Sequence, residues 1–127
     1  MITIEASIQP EVIIRGKKDK LSRAFINVID NAIRYTPSSG KVHIRLSKTK
    51  DVATLQIKDT GAGIYKNDLP HIFDRYYRGS KTDKTFGSGL GLSIAKAIIS
   101  AHHGQIQAQS QIGKGSDFTI SLPLASS

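Results

Sequence analysis

Asn27 and Asn31 stand four residues apart, the spacing at which helical side chains lie one above the other, and Arg34 continues the stripe. Asparagine is a mediocre helix former because its amide competes for nearby backbone groups, so each costs roughly a few tenths of a kcal/mol relative to alanine. The stripe borders Ala24, Val28 and Tyr35, which can half-bury the amides. Neutral amide oxygens in that setting suit a hard cation such as Mg²⁺, which keeps waters and takes phosphate oxygens too. Taken alone, the same pair also reads as an exposed polar stripe without a role.

Asp59-Thr60-Gly61-Ala62-Gly63 closes a segment in which Ala53, Leu55 and Ile57 alternate with polar residues. Asp59 shares their face, the buried one, where a carboxylate is costly unless something donates to it. The exocyclic amine of adenine is a suitable donor, and two glycines let a ring approach the backbone. A plain Asp-Gly turn after a strand is the ordinary alternative. Gly87-Ser88-Gly89-Leu90-Gly91-Leu92 opens an apolar helix with three glycines, which exposes backbone N–H groups at the helix's positive end, where phosphates bind. It is neither a dinucleotide fingerprint nor a Walker A loop, since no Gly-Lys-Ser/Thr completes it. Phe73-Asp74-Arg75-Tyr76-Tyr77-Arg78 mixes aromatics with arginines and leads to Lys81 and Lys84. Cations there can close over a terminal phosphate, or form a solvated loop anchored by its aromatics.

These groups need a frame. Five segments alternate with period two: Ile2–Ile8, Val42–Leu46, Ala53–Ile57, Ile106–Ala108 and Phe118–Leu122. They predict strands with one buried and one wet face. Val12-Ile13-Ile14 reads as a further short strand. Leu21, Ala24, Phe25, Val28, Ile29, Ala32 and Ile33 make the apolar stripe of a helix over Asp19–Tyr35, which stops at Thr36-Pro37-Ser38-Ser39-Gly40. Leu90, Ile94, Ala97, Ile98 and Ala101 predict a second helix to His103, ended by Gly104. A short helix fits 67–73. The polar, aperiodic stretch 74–88 reads as a loop of functional size. Together these predict a two-layer α/β sandwich, a mixed, largely antiparallel sheet with helices on one face, in a single domain over 1–127.

Composition narrows the partners. With 18 basic and 10 acidic residues the net charge is +8, which attracts something anionic: nucleotide phosphates, an acidic protein, a membrane surface or nucleic acid. No cysteine is present, which excludes disulfides and thiolate metal sites. No apolar run approaches the ~20 residues of a membrane helix.

The order and spacing of the motifs resemble the catalytic and ATP-binding domain of sensor histidine kinases, of the Bergerat-fold superfamily. Asn27–Tyr35 is similar to the N box and Asp59–Gly63 to the first glycine box. Phe73–Arg78 is similar to the F box, with Tyr76 where Phe is usual. Gly87–Leu92 and Gly113–Phe118 are similar to the later glycine boxes, and Ser121-Leu122-Pro123 to the family's ending. The resemblance implies ATP held under a mobile lid at about 74–88, with Mg²⁺ on Asn31 and Asn27 assisting near the phosphates. Arg34 and Tyr35 would contact phosphate or sugar, and Asp59 would receive the adenine amine beside Gly61, Gly63 and Ile64. Gly87, Gly89, Leu90, Gly91 and Leu92 would shape the lid and triphosphate site, and Arg78 would engage the γ-phosphate.

The family's gyrase-like members place a water-activating Glu four residues before the metal Asn; here that position is Asn27, which cannot act as a base. Transfer to a supplied histidine on a separate dimerisation domain is therefore expected, with a response regulator downstream. The alternatives are a serine kinase of the anti-sigma type, or a basic interaction module with a degenerate nucleotide site. His43, His71, His102 and His103 lack the acidic and basic neighbours of an acceptor histidine and read as structural or solvated. The family often has an acidic residue after the glycine at Gly16, where this chain has Lys17-Lys18-Asp19. The resemblance further implies a monomeric, cytoplasmic fragment that binds no nucleic acid, from a soluble or membrane-anchored parent whose acceptor domain lies upstream of these residues.

Overall fold

Period-two alternation becomes strand wherever it was read. The computed structural model describes residues 2–75 and 91–125. In chain order the elements are β1 (Thr3–Ile8), α1 (Lys18–Tyr35), β2 (Lys41–Lys48), β3 (Val52–Asp59), a 3₁₀ turn (Leu69–His71), α2 (Gly91–Ala101), β4 (Gln105–Gln111) and β5 (Gly115–Pro123). The strands form one sheet in the order β1-β2-β3-β5-β4. β1 runs parallel to β2, with α1 as the crossover, and every other pair is antiparallel. The result is the expected mixed two-layer sandwich. One sheet face meets α1 and α2; the other carries Lys41, His43, Lys58, Gln105, Gln107 and Gln109, all exposed.

The core lies between sheet and helices. α1 contributes Leu21, Ala24, Val28 and Ala32, and α2 contributes Ala95 and Ile99. Val42, Ile57, Ile106, Phe118, Ile120 and Leu122 rise from the sheet. Phe73 extends this core by meeting Phe118 edge to face, with centroids 6.2 Å apart. The stripe read on α1 is therefore its buried face, with Phe25, Ile29 and Ile33 at its margin.

Five local readings change. Val12-Ile13-Ile14 forms no strand: Ile13 is 65% exposed, and its carbonyl accepts the N–H of Ala125 at 2.8 Å. β1 is a strand but buries neither face, with Ile4 at 53% and Ile8 at 65% exposure. These residues share the helix-side face with Val42 and Leu46, but β1 is the sheet edge and the helices leave it uncovered. On α2 the buried residues are Ala95 and Ile99, while Ala97 and Ala101 are exposed. The sequence Gly91–Ala101 is apolar on most sides, so periodicity alone does not fix which side faces inward. The short helix at 67–73 reduces to the 3₁₀ turn, with Pro70 in its first positions.

The end of α2 also differs. Its left-handed residue is His103, with φ of 65°, not Gly104. Gly104 N–H reaches Ile99 O at 2.9 Å and His103 N–H reaches Ser100 O at 3.1 Å, the two bonds of a Schellman turn. Gly104 is required for another reason: a Cβ there would come 2.4 Å from the Ser121 carbonyl. His103→Gly should therefore relieve strain and raise the unfolding free energy by about 0.5–1 kcal/mol, seen as a higher Tm. A Tm that falls would contradict strain at this position.

A lysine occupies the cap of α1, and the capping bond comes from α2. Lys17 makes no side-chain cap; its backbone N–H donates to His102 Nε2 at 3.1 Å, while His102 Nδ1 donates to Ile98 O at 2.7 Å. Those partners place the imidazole proton on Nδ1. His102 is thus a structural histidine that joins the start of α1 to the end of α2.

Candidate functional site

The site is built where the C-terminal end of α1 meets the loops after β3 and β4. Asp59 is the last residue of β3 and only 3% exposed, as its alternation predicts. Its Oδ1 accepts two backbone N–H groups, from Gly61 at 2.9 Å and from Ser116 at 3.2 Å. Among the described residues Oδ2 has no donor. Burial pushes the carboxyl above its ordinary pKa; the Gly61 and Ser116 N–H groups pull the other way, and the nearby charge of Asp117 adds to the rise. A buried carboxylate with one committed and one open oxygen is an acceptor held ready for a donor group.

The glycines of this loop serve close backbone packing. A Cβ on Gly61 would lie 2.3 Å from the Tyr35 carbonyl, so the end of α1 sits directly against the loop. Gly63 has φ of +82°, and a Cβ on it would lie 2.4 Å from the Gln111 carbonyl. At both positions the neighbours that forbid a side chain are protein backbone. Gly113 N–H donates to Ala62 O at 2.9 Å, which ties the loop to the β4–β5 turn.

From Tyr35 the asparagine stripe runs back along α1. Asn31 lies about 6 Å and Asn27 about 12 Å from it along the helix axis. Both are half-buried. Asn27 Nδ2 donates to the Gly91 carbonyl at 3.2 Å, which fixes the start of α2 beside it. The Asn31 amide makes no hydrogen bond among the described residues. Its oxygen, a neutral hard donor on a half-wet surface, fits a Mg²⁺ that is held mainly by phosphates and water. Arg34 is exposed and held by Asp30, Nε to Oδ2 at 2.9 Å. Leu92 and Ile64 are partly buried against the core. Arg78, Gly87, Gly89, Leu90 and most of the proposed lid lie outside the described residues.

Two residues of the site went unread in the sequence. Ser116 and Ser110 are register partners of Asp59 and of each other, in the row Asp59–Ser116–Ser110 across β3, β5 and β4. Ser110 continues the Ile106-Ala108 period of two, and Ser116 the Phe118-Ile120 period. That signal places both on the buried face. An open cavity of about 380 Å³ at this end of the sheet touches the three residues, but its walls also include Lys58 and Gln109 of the exposed face, so it is not confined to the helix side.

Residues 16–126 match the model of the family described as histidine kinase-, DNA gyrase B- and HSP90-like ATPase. The chain belongs to this family. A curated relative is the sensor histidine kinase RppB of Synechocystis sp., 43% identical over 118 residues; the match covers 91% of this chain and 26% of RppB. Among solved structures, the mycobacterial sensor histidine kinase MprB superposes with a TM-score of 0.89 at 31% identity, covering 99% of this chain and 86% of that one. Full-length ShkA, solved in complex with AMPPNP, gives a TM-score of 0.84 at 25% identity, over 99% of this chain and 26% of that one. The domain thus spans about a quarter of RppB's length. No helix among the described residues is long and apolar enough to cross a membrane.

Proposed function

We propose that this domain binds Mg·ATP and passes the γ-phosphoryl group to a histidine on a separate dimerisation domain of the same parent protein. The observation that carries the reading is the absence of a usable base on α1 beside Asn31. Asn27 occupies the position four residues earlier, and its amide nitrogen is spent on Gly91 O. The nearest carboxylate in sequence, Asp30, is exposed and paired with Arg34. Efficient hydrolysis needs a group that takes a proton from water. A neutral imidazole needs none, since its ring nitrogen attacks with its own lone pair.

In this reading Asp59 Oδ2 accepts from the adenine amine and the triphosphate runs along the asparagine stripe toward Gly91. Asn31 would hold Mg²⁺, which would neutralise charge on the phosphates. The N–H groups at the start of α2, positioned by Asn27, would face the phosphate oxygens. The acceptor imidazole forms the N–P bond as the bond from Pγ to the β,γ-bridging oxygen breaks, and ADP leaves. The protein's contribution is positioning and electrostatics. Arg78 would engage the γ-phosphate from the lid. The closed hydrogen-bond frame around Asp59 counts against a degenerate nucleotide site.

The test joins this domain to the parent's own dimerisation domain and supplies γ-labelled Mg·ATP. Acid-labile, base-stable label on the dimerisation domain is expected, and none with Asp59→Asn. A folded protein that hydrolyses ATP without labelling the acceptor would overturn the transfer reading.

A further inference from the structure

We propose that Ser110 is a positioning residue that sets the proton order of the base pocket and thereby its preference for 6-amino over 6-oxo purines. The inference rests on the nucleotide reading of Asp59 and deepens it. Ser110 Oγ lies 2.7 Å from the Ile64 nitrogen, 2.9 Å from the Gly115 carbonyl and 3.0 Å from Ser116 Oγ. A serine hydroxyl has one proton to give and two lone pairs to receive. The Ile64 N–H can only donate and the Gly115 carbonyl can only accept. Ser110 therefore gives its proton to Gly115 and receives that of Ile64. The bond to Ser116 is left one direction: Ser116 donates and Ser110 accepts.

This order propagates along the row. With its proton committed to Ser110, Ser116 Oγ offers only lone pairs to a ligand. Next to it, Asp59 Oδ1 is filled by the Gly61 and Ser116 N–H groups, and Oδ2 is open. The row thus presents acceptors and no donor. An exocyclic amine matches that edge. A 6-oxo group brings an acceptor to acceptors and leaves buried groups unpaired, which is how polar sites discriminate strongly. Ser110 contacts no base itself; it works through Ser116 and through the Ile64 N–H, which holds the loop after Asp59 against β4.

The experiment titrates AMPPNP and GMPPNP, each with Mg²⁺, into wild type, Ser110→Ala and Ser110→Thr, and records apo unfolding of each. In Ser110→Ala the Ser116 hydroxyl is free to turn and donate. The preference for AMPPNP over GMPPNP should then fall about tenfold, with AMPPNP itself weakened about fivefold. Ser110→Thr keeps the hydroxyl and should restore the wild-type ratio. An unchanged ratio in folded Ser110→Ala, with wild type binding AMPPNP normally, overturns the role of Ser110 alone. Failure of Ser110→Thr to restore the ratio does the same. A folded wild type that binds neither nucleotide overturns the nucleotide reading and this inference with it. If Ser110→Ala does not fold, Ser116→Ala removes the ordered acceptor directly, and an unchanged ratio there is equally decisive.

Discussion

Asp59→Asn is expected to leave the domain folded while removing nearly all of its stabilisation by nucleotide. The substitution keeps an oxygen for the two N–H groups that Oδ1 accepts. It replaces the open Oδ2 with an NH₂ group, which meets the adenine amine donor to donor. Losing a charge-assisted bond and gaining that conflict should weaken ATP about 100-fold or more. At a concentration 100 times the wild-type dissociation constant, ligand stabilises wild type by about 2.7 kcal/mol, and the variant by about 0.4 kcal/mol. For a domain of this size the difference is roughly 10 °C in Tm. A variant that keeps the full shift would remove Asp59 from the pocket.

The pH dependence has a definite sign. The folded-state pKa of Asp59 is raised, chiefly by burial. Its contribution to apo stability is therefore present in full below the unfolded-state pKa and lost as pH rises through the folded one. At neutral pH the apo Asn variant should be at least as stable as wild type, because it buries no charge. Nucleotide binding runs the opposite way and should weaken as pH falls through the folded pKa, since a protonated carboxyl loses acceptor strength. On acidification the Asp59 contribution to apo stability should thus rise while its contribution to ATP affinity falls, and both contributions should be missing in the Asn variant.

Gly115→Ala is expected to be the most damaging small substitution. A Cβ there would lie 1.9 Å from the Asp59 carbonyl oxygen, which is backbone and cannot swing away, and φ is +116°. Steric overlap and a disfavoured conformation together should cost about 3–5 kcal/mol. The Asp59 end of β3 would have to separate from β5, so nucleotide binding should fail even in the fraction that remains folded. Chemical denaturation of apo protein gives the stability, and titration below the transition gives the binding. By contrast Gly113→Ala meets no atom within 4 Å and carries only the penalty of φ at +83°. Equal losses at the two positions would show that backbone conformation, not crowding, dominates.

Much of this was legible in the chain order of residues because it depends on local period. Alternation in Val42–Leu46 and Phe118–Leu122 fixes which residues face the helices, and the α1 stripe is unambiguous because polar residues interrupt it. The burial of Asp59 follows from its place two residues after Ile57, and the two-layer class follows from strands wet on one side. Tertiary structure decided whatever needs a partner far along the chain. α2 is apolar nearly all round, so only its docking against α1 and the sheet selects Ala95 and Ile99. β1 alternates like a half-buried strand, but exposure depends on what lies above it, and at the sheet edge none of the described helices does. Gly61, Gly104 and Gly115 are glycines because backbone from another segment passes within bonding range, which no local conformational rule reveals. The hydroxyl of Ser110 meets Ile64, 46 residues away, only because β4 and β5 pair in one particular register. Side-chain facing is a property of neighbouring residues, whereas hydrogen-bond direction in a pocket is a property of contacts that exist only once the sheet has closed.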